Sequence, residues 1–220
     1  MAKVIVFGTG LIGTLAQYYL THDSPHEVVA FSADAERMQS DEHRGLPLVA
    51  FEEMPSHYPP DEFSMFVAVG WSKLNKVREE KFHAAKAAGY QLISYVASSA
   101  ITWPDSTIGE NCFIQEMNVI QPFATIGDDV TMWTGSLVGH ESVVGDHCFI
   151  AAQVVVSGNV TIGRNCFIGV HATLRDAITI GEESVIGAGA LIMKDVKPRS
   201  VYVGQSAQRL AMTSDRLPRI

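Results

Sequence analysis

From Ile108 to Ile192 every sixth residue is aliphatic or Met, fifteen positions in succession: Ile108, Ile114, Ile120, Ile126, Met132, Val138 and onward to Ile186 and Ile192. Two residues before each stands a mostly small or β-branched side chain, as at Ser106, Cys112, Ala124, Val130 and Ser142. The residue after the apolar one is Gly at eight of the fifteen, including Gly109, Gly127, Gly145 and Gly163. Side chains two apart on an extended segment share a side, so the apolar residue and the small one before it face a common interior. The following glycine reads as the point where the chain turns, where a Cβ would be costly. Six residues are too few for an independent hairpin, so the units must stack as a solenoid, each burying the apolar edge of the last. Three faces per turn give a triangular prism of about 18 residues per coil. The stretch supplies about five coils, or roughly 24 Å at about 4.8 Å per strand. An ordinary β-sandwich would show variable spacing instead, with turns every 8–12 residues or so.

The first hundred residues follow a different period. Lys3–Phe7 reads as a strand running into Gly8-Thr9-Gly10-Leu11-Ile12-Gly13, followed by a helix over Leu11–Leu20 and a second strand over Glu27–Phe31. Met65–Val69 reads as a third strand ending at Gly70, Leu74–Ala88 as a helix, and Gln91–Val96 as a last strand. Pro47 and Tyr58-Pro59-Pro60 punctuate the loops between. Strand–helix alternation implies a parallel sheet covered by helices. The two periods exchange at Ala97–Pro104, which divides the chain into a βαβ domain (1–97), a β-solenoid (98–205) and a C-terminal tail (206–220).

The G-x-G-x-x-G after the first strand, with Asp34 some way beyond the second, is the fingerprint of a dinucleotide site. Alone it would indicate an NAD-dependent oxidoreductase. This domain, however, holds only about half of a six-strand dinucleotide fold, and a solenoid follows it. A half-fold suits one nucleotide, its phosphates meeting backbone N–H groups at the helix start. A nucleotide-sugar site is therefore expected here, ahead of an NAD site or a purely structural turn.

Composition narrows the partners. A net charge of −8 over 220 residues argues against nucleic acid or an anionic membrane surface. The chain enters its first strand at once, without a signal peptide, and no apolar run approaches the length of a membrane span. Cys112, Cys148 and Cys166 all fall on the small inward position of the repeat. They read as core packing, and their free state suits a reducing cytoplasm.

Chemistry is sought on the outward positions of the solenoid. His140-Glu141 lies in a repeat corner, where Glu141 could fix one ring nitrogen and leave the other free to take a proton. His147 and His171 also fall in corners, so three outward histidines raise a zinc site of the gamma-carbonic-anhydrase kind. Their spacing departs from the H-x4-H pair of that family. Trp133 occupies another outward slot, suited to stacking on a substrate or to a subunit contact.

The segments G-H-E-S-V-V-G-D at Gly139–Asp146 and S-G-N-V-T-I-G at Ser157–Gly163, behind a small βαβ domain, resemble the bacterial nucleotide-sugar acetyltransferases. These are the sialic acid O-acetyltransferase-like and bacillosamine N-acetyltransferase-like proteins, and the resemblance runs through Tyr202-Val203-Gly204. It implies a left-handed parallel β-helix and a homotrimer with active sites between neighbouring copies. It further implies His140 as general base and Glu141 as the acid that orients it. Gly158 and Ala188 match positions along acetyl-CoA, and Phe149 stands where some members have a histidine at the thioester. Gly8, Gly10, Leu11, Ile12, Asp34 and Gly70 match the nucleotide-sugar site, with Leu11 and Ile12 replacing the family's Gly and His and Trp71 following Gly70 in place of Asn. The usual G-V-P-A is Gly204-Gln205-Ser206-Ala207 here.

The expected protein is a cytoplasmic, acetyl-CoA-dependent acetyltransferase acting on the amine of a nucleotide-linked amino sugar, by direct transfer and without a metal. O-acetylation of a sugar hydroxyl is the alternative, ahead of a gamma-carbonic-anhydrase-like metalloenzyme or a non-catalytic nucleotide-binding trimer.

Overall fold

The computed structural model describes residues 1–209, 211 and 213–216, and its two units pack against each other, each with its own apolar interior. The expected C-terminal tail, 206–220, lies partly outside the described residues. The N-terminal unit runs β1 (Lys3–Phe7), α1 (Leu11–His22), β2 (Glu27–Ala33), β3 (Glu42–His43), β4 (Leu46–Ala50), α2 (Met54–His57), β5 (Ser64–Val67), α3 (Lys76–Ala87) and β6 (Gln91–Leu92). The sheet order is β3-β4-β2-β1-β5-β6, parallel except for the β3–β4 hairpin. Strand β4 went unread because Pro47 suggested a loop. The proline sits on the hairpin side of β4, opposite Glu42, while Leu48–Ala50 pair with β2. A residue without an N–H is tolerated at such a sheet margin.

Alternate residues of β1 supply two cores. Val4 and Val6 pack with Ile12, Ala16 and Leu20 of α1, and Ile5 and Phe7 pack with Phe82 and Ala85 of α3. The first of these cores also takes in Tyr95 and Phe113, so one wall of the solenoid closes the N-terminal sheet from below α1. Accordingly the expected last strand, Gln91–Val96, is two strands: β6 stays in the N-terminal sheet, while β7 (Tyr95–Val96) pairs with Phe113–Ile114 as the first rung of a solenoid face.

The solenoid is a left-handed parallel β-helix of two-residue strands, stacked in three sheets. Rungs such as Val119 on Leu137 and Thr125 on Val143 repeat the same pairing coil after coil. The apolar sixth residues and the small residues before them fill the interior, with Cys112, Cys148 and Cys166 fully buried. Inward serines are satisfied between coils: Ser142 Oγ donates to Ser157 O at 2.9 Å and accepts from Val160 N at 3.0 Å. The turning residue is not the glycine after the apolar position. The left-handed backbone falls two residues later, at Asn111, Asp129, Glu141, His147, Asn159 and Asn165. The glycines serve a different need, the close approach of the next coil. A Cβ at Gly139 would stand 2.5 Å from the carbonyl carbon of Ser157.

A polar seam binds α3 to the solenoid. Asn111 pairs with both backbone groups of Val67 at the end of β5 and donates to Asp129 Oδ1 at 2.7 Å. Arg78, fully buried, sets its Nε 3.0 Å from Asp129 Oδ2 and donates to the carbonyls of Asp129 and Cys148. A buried carboxylate and guanidinium with this many partners tolerate the low dielectric that would penalise either alone.

Candidate active site

The turn between β1 and α1 shapes a cleft of about 370 Å³, and Gly8, Gly10, Leu11, Ile12, Asp34 and Gly70 all line it. Each glycine of the fingerprint has its own cause. Gly8 has φ of +116°, and a Cβ there would meet Ala68 O at 2.5 Å. A side chain at Gly13 would strike the Gly8 carbonyl, so the helix packs against the turn only with hydrogen in that place. Gly10 faces open space and lets a ligand reach the backbone at the start of α1. Ile12 is turned into the core while Leu11 is exposed, so of the two only Leu11 offers a free side chain.

Charge at the rim comes from residues that the sequence did not single out. Lys81 of α3 pairs with Asp34 Oδ1, and Arg37 Nε lies 3.7 Å from Asp34 Oδ2. Lys81 also sits 5.5 Å above the Phe7 ring. Lys81 and Arg37 are the cations at this mouth, Lys81 lying also 3.9 Å from Glu80, and either could turn from its carboxylate to a phosphate. Trp71 forms another wall and reaches the solenoid, its ring 4.9 Å from that of Phe149.

On the solenoid, His140 and Glu141 occupy the corner between Leu137–Val138 and Val143–Val144. Glu141 takes the left-handed turn position, φ 57°, which swings its carboxylate back so that Oε2 lies 3.2 Å from His140 Nδ1. Both side chains are well exposed. The imidazole lies over Gly158, one coil on: a Cβ there would stand 2.5 Å from Nε2. His140, Glu141 and Gly158 thus form one constellation. The main chain of His140 is fixed as well, its N–H donating to Gln121 Oε1 at 2.9 Å and its carbonyl accepting from Asn159 N at 2.8 Å.

Other expected residues are not gathered there. Ala188 is exposed on a different edge, after Val185–Ile186. Phe149 is buried, stacked 5.4 Å from Phe167 beneath Trp71 and Trp133. Phe113 is buried too, so these rings line the junction with the chain's own N-terminal unit rather than a bare outer face. Trp133 packs 6.1 Å from Trp71 inside the same junction. His147, expected in an outward corner, is buried, with Nδ1 2.8 Å from Asp129 Oδ2. His140, His147 and His171 lie on three different edges of the prism and form no common cluster within the chain.

The class follows from the fold. Residues 105–140 and 141–176 match the bacterial transferase hexapeptide (six repeats), and residues 159–194 match the hexapeptide repeat of succinyl-transferase. The solenoid is therefore a β-helix of the bacterial-transferase hexapeptide type. Over nearly its whole length the chain shares its fold with solved structures that include acetyltransferases. The acetyltransferase domain of PglB from Neisseria gonorrhoeae, also crystallised with acetyl coenzyme A, is 25% identical over 96% of this chain and 100% of its own, with a TM-score of 0.79. PerB from Caulobacter crescentus, in complex with CoA and GDP-perosamine, is 24% identical over 93% of this chain and 95% of its own, with a TM-score of 0.81, and a mutant of the perosamine N-acetyltransferase from that organism matches likewise. WeeI from Acinetobacter baumannii is 21% identical over 93% and 97%, with a TM-score of 0.78. No curated protein matches the chain by sequence.

Proposed function

We propose that the protein transfers the acetyl group of acetyl-CoA to the amino group of a nucleotide-linked amino sugar. The observation that carries this reading is the His140–Glu141 pair held over Gly158 on a transferase-type β-helix. It is supported by the glycine-turn cleft with Lys81 and Arg37 at its rim, and by similar structures holding CoA, acetyl-CoA and GDP-perosamine.

In this mechanism Glu141 accepts the Nδ1–H of His140, so the lone pair resides on Nε2, the nitrogen over Gly158. Nε2 takes a proton from the amine as nitrogen attacks the thioester carbon. The C–N bond forms, the C–S bond breaks, and the proton passes to the departing thiolate. Binding both substrates side by side replaces an acyl-enzyme. The cysteines are unsuited to be one. Burial pushes the Cys112 thiol up to about 12 and Cys148 well above its ordinary range; the hydrogen bond from Cys148 lowers Cys166, but all three thiols are sealed in the solenoid interior, out of reach of a thioester.

Acetyl-CoA would lie along the solenoid edge at Gly158, with Ala188 contributed by a second copy in a homotrimer. Free, buried cysteines suit a cytoplasmic setting. Among the described residues no helix is long and apolar enough to cross a membrane.

Amino sugars linked to UDP, dTDP and GDP, each offered with acetyl-CoA and followed by thiol release, test the reading. One of them should turn over, and Lys81→Ala should raise its KM while leaving that of acetyl-CoA nearly unchanged. Acetyl-CoA hydrolysis indifferent to every nucleotide sugar would sink it.

A further inference from the structure

The seam between α3 and the solenoid contains a group that the acetyl-transfer site does not use. Glu79 and His83 stand at i and i+4 on α3 and so share a face. His147 rises to meet them from a solenoid corner. The ligand atoms of these three all lie within 4.8 Å of one another, and no other such group of His, Cys, Asp and Glu occurs among the described residues.

The hydrogen bonds around His147 decide what it presents. Asp129 is fully buried between Arg78 and Asn111, and its Oδ2 lies 2.8 Å from His147 Nδ1, placed to accept the Nδ1–H. The lone pair then sits on Nε2, which faces Glu79 Oε1 at 3.8 Å. Two acceptors oppose each other across a nearly buried gap, with the His83 ring 5.4 Å from that of His147 at its open side. A carboxylate that fixes one ring nitrogen while the other points into such a gap is the arrangement metal-binding histidines use.

We propose that Glu79, His83 and His147 bind a divalent transition metal of the zinc class, with water completing the coordination. Two nitrogens and one carboxylate oxygen suit zinc and cobalt. Bond lengths of about 2.0–2.1 Å require the ligand atoms to close to roughly 3.3 Å: rotation of the exposed His83 side chain brings its nitrogen in, and a small shift of the Glu79 carboxylate closes its 3.8 Å gap to His147. The ion would pin α3, and with it the Lys81 and Arg78 it carries, to the solenoid. One group opposes it. Arg164, half exposed, pairs with Glu79 Oε1 and must swing into solvent as the metal enters, while Asn165 keeps its 2.9 Å bond to Oε2.

That competition gives the test two directions, read without any measure of acetyl transfer. Full-length protein stripped with chelator is titrated with Zn²⁺ by calorimetry and with Co²⁺ by visible absorption. The wild type should bind one ion per chain, show the Co²⁺ bands of a low-coordinate site and melt at higher temperature with Zn²⁺. His83→Ala, at an exposed position that leaves the fold intact, should lose the bands and weaken binding at least about 10-fold. Arg164→Ala should bind more tightly than wild type, and His140→Ala should be unchanged. Equal binding by wild type and His83→Ala, or no saturable binding by wild type, overturns the proposal.

Discussion

A single hydrogen atom governs the candidate catalytic pair. Gly158 carries no side chain where His140 lies, and Gly158→Ala would drive a methyl group onto the imidazole edge. The solenoid could absorb that methyl only by rotating His140 away, breaking the 3.2 Å contact with Glu141. General-base catalysis contributes about 10²–10⁴-fold, so His140→Ala should lower kcat by that order with circular dichroism unchanged. Gly158→Ala should give a partial loss of the same kind. Glu141→Ala should cost less than His140→Ala, because the base remains but its orientation is free. In the wild type kcat should fall toward acid pH, since a protonated imidazole accepts no further proton. Near-normal kcat in His140→Ala at alkaline pH would show that the amine deprotonates without it.

At the level of elements, α1 is clasped to the solenoid by two carboxylates whose titration can be followed. The backbone and side chain of Ser98 and the Tyr95 hydroxyl, the last donating at 2.6 Å, hold the Asp23 carboxyl below its usual range. Burial works against Glu116, yet bonds from Tyr19, its own backbone and Thr134 outweigh it and leave that carboxyl lowered too. A carboxylate depressed in the folded state stabilises it above the unfolded pKa of about 4, and that contribution is lost as pH falls through the lower folded value. Asp23→Asn should therefore melt below wild type at pH 7, with the gap closing beneath about pH 4; a gap independent of pH would refute the clasp. None of these partners was legible in the sequence, because they lie far apart in the chain and only the docked faces bring them together. The fold was legible wherever period sufficed: a six-residue repeat admits few structures, and the glycine turn, β1 and α1 form one local unit, so the cleft residues could be named. The helix expected over Leu74–Ala88 is present as α3, but its docked side was not legible: Arg78, Phe82 and Ala85 form a buried stripe, with Arg78 occupying a place that hydrophobicity would never assign to it. His147 was misplaced likewise, since an outward corner is exposed only where no second domain covers it.

Coverage of the prism also decides how whole molecules can meet. One face, from Tyr95 to Phe167, lies under the chain's own N-terminal unit. Another presents threonines in four of five outward places: Thr107, Thr125, Thr161 and Thr179 around Val143. The remaining face carries Val119, Leu137, Val155, Thr173 and Leu191 in register, and its edges expose Met117 and Phe123. His140 stands on the edge it shares with Phe123, so threefold packing of this face would set a neighbour beside the candidate base. In a closed ring each subunit contributes the same residue, so one substitution introduces its charge at every subunit contact. If the protein is the proposed trimer, Val155→Arg should dissolve it without touching the interior, since Val156, and not Val155, faces the core. Light scattering should fall from three times the 23.9 kDa chain mass to one, with the melting of the β-helix still cooperative. Activity should fall with it if acetyl-CoA lies between copies. A monomeric Val155→Arg protein that keeps its full kcat would place the whole site within a single chain.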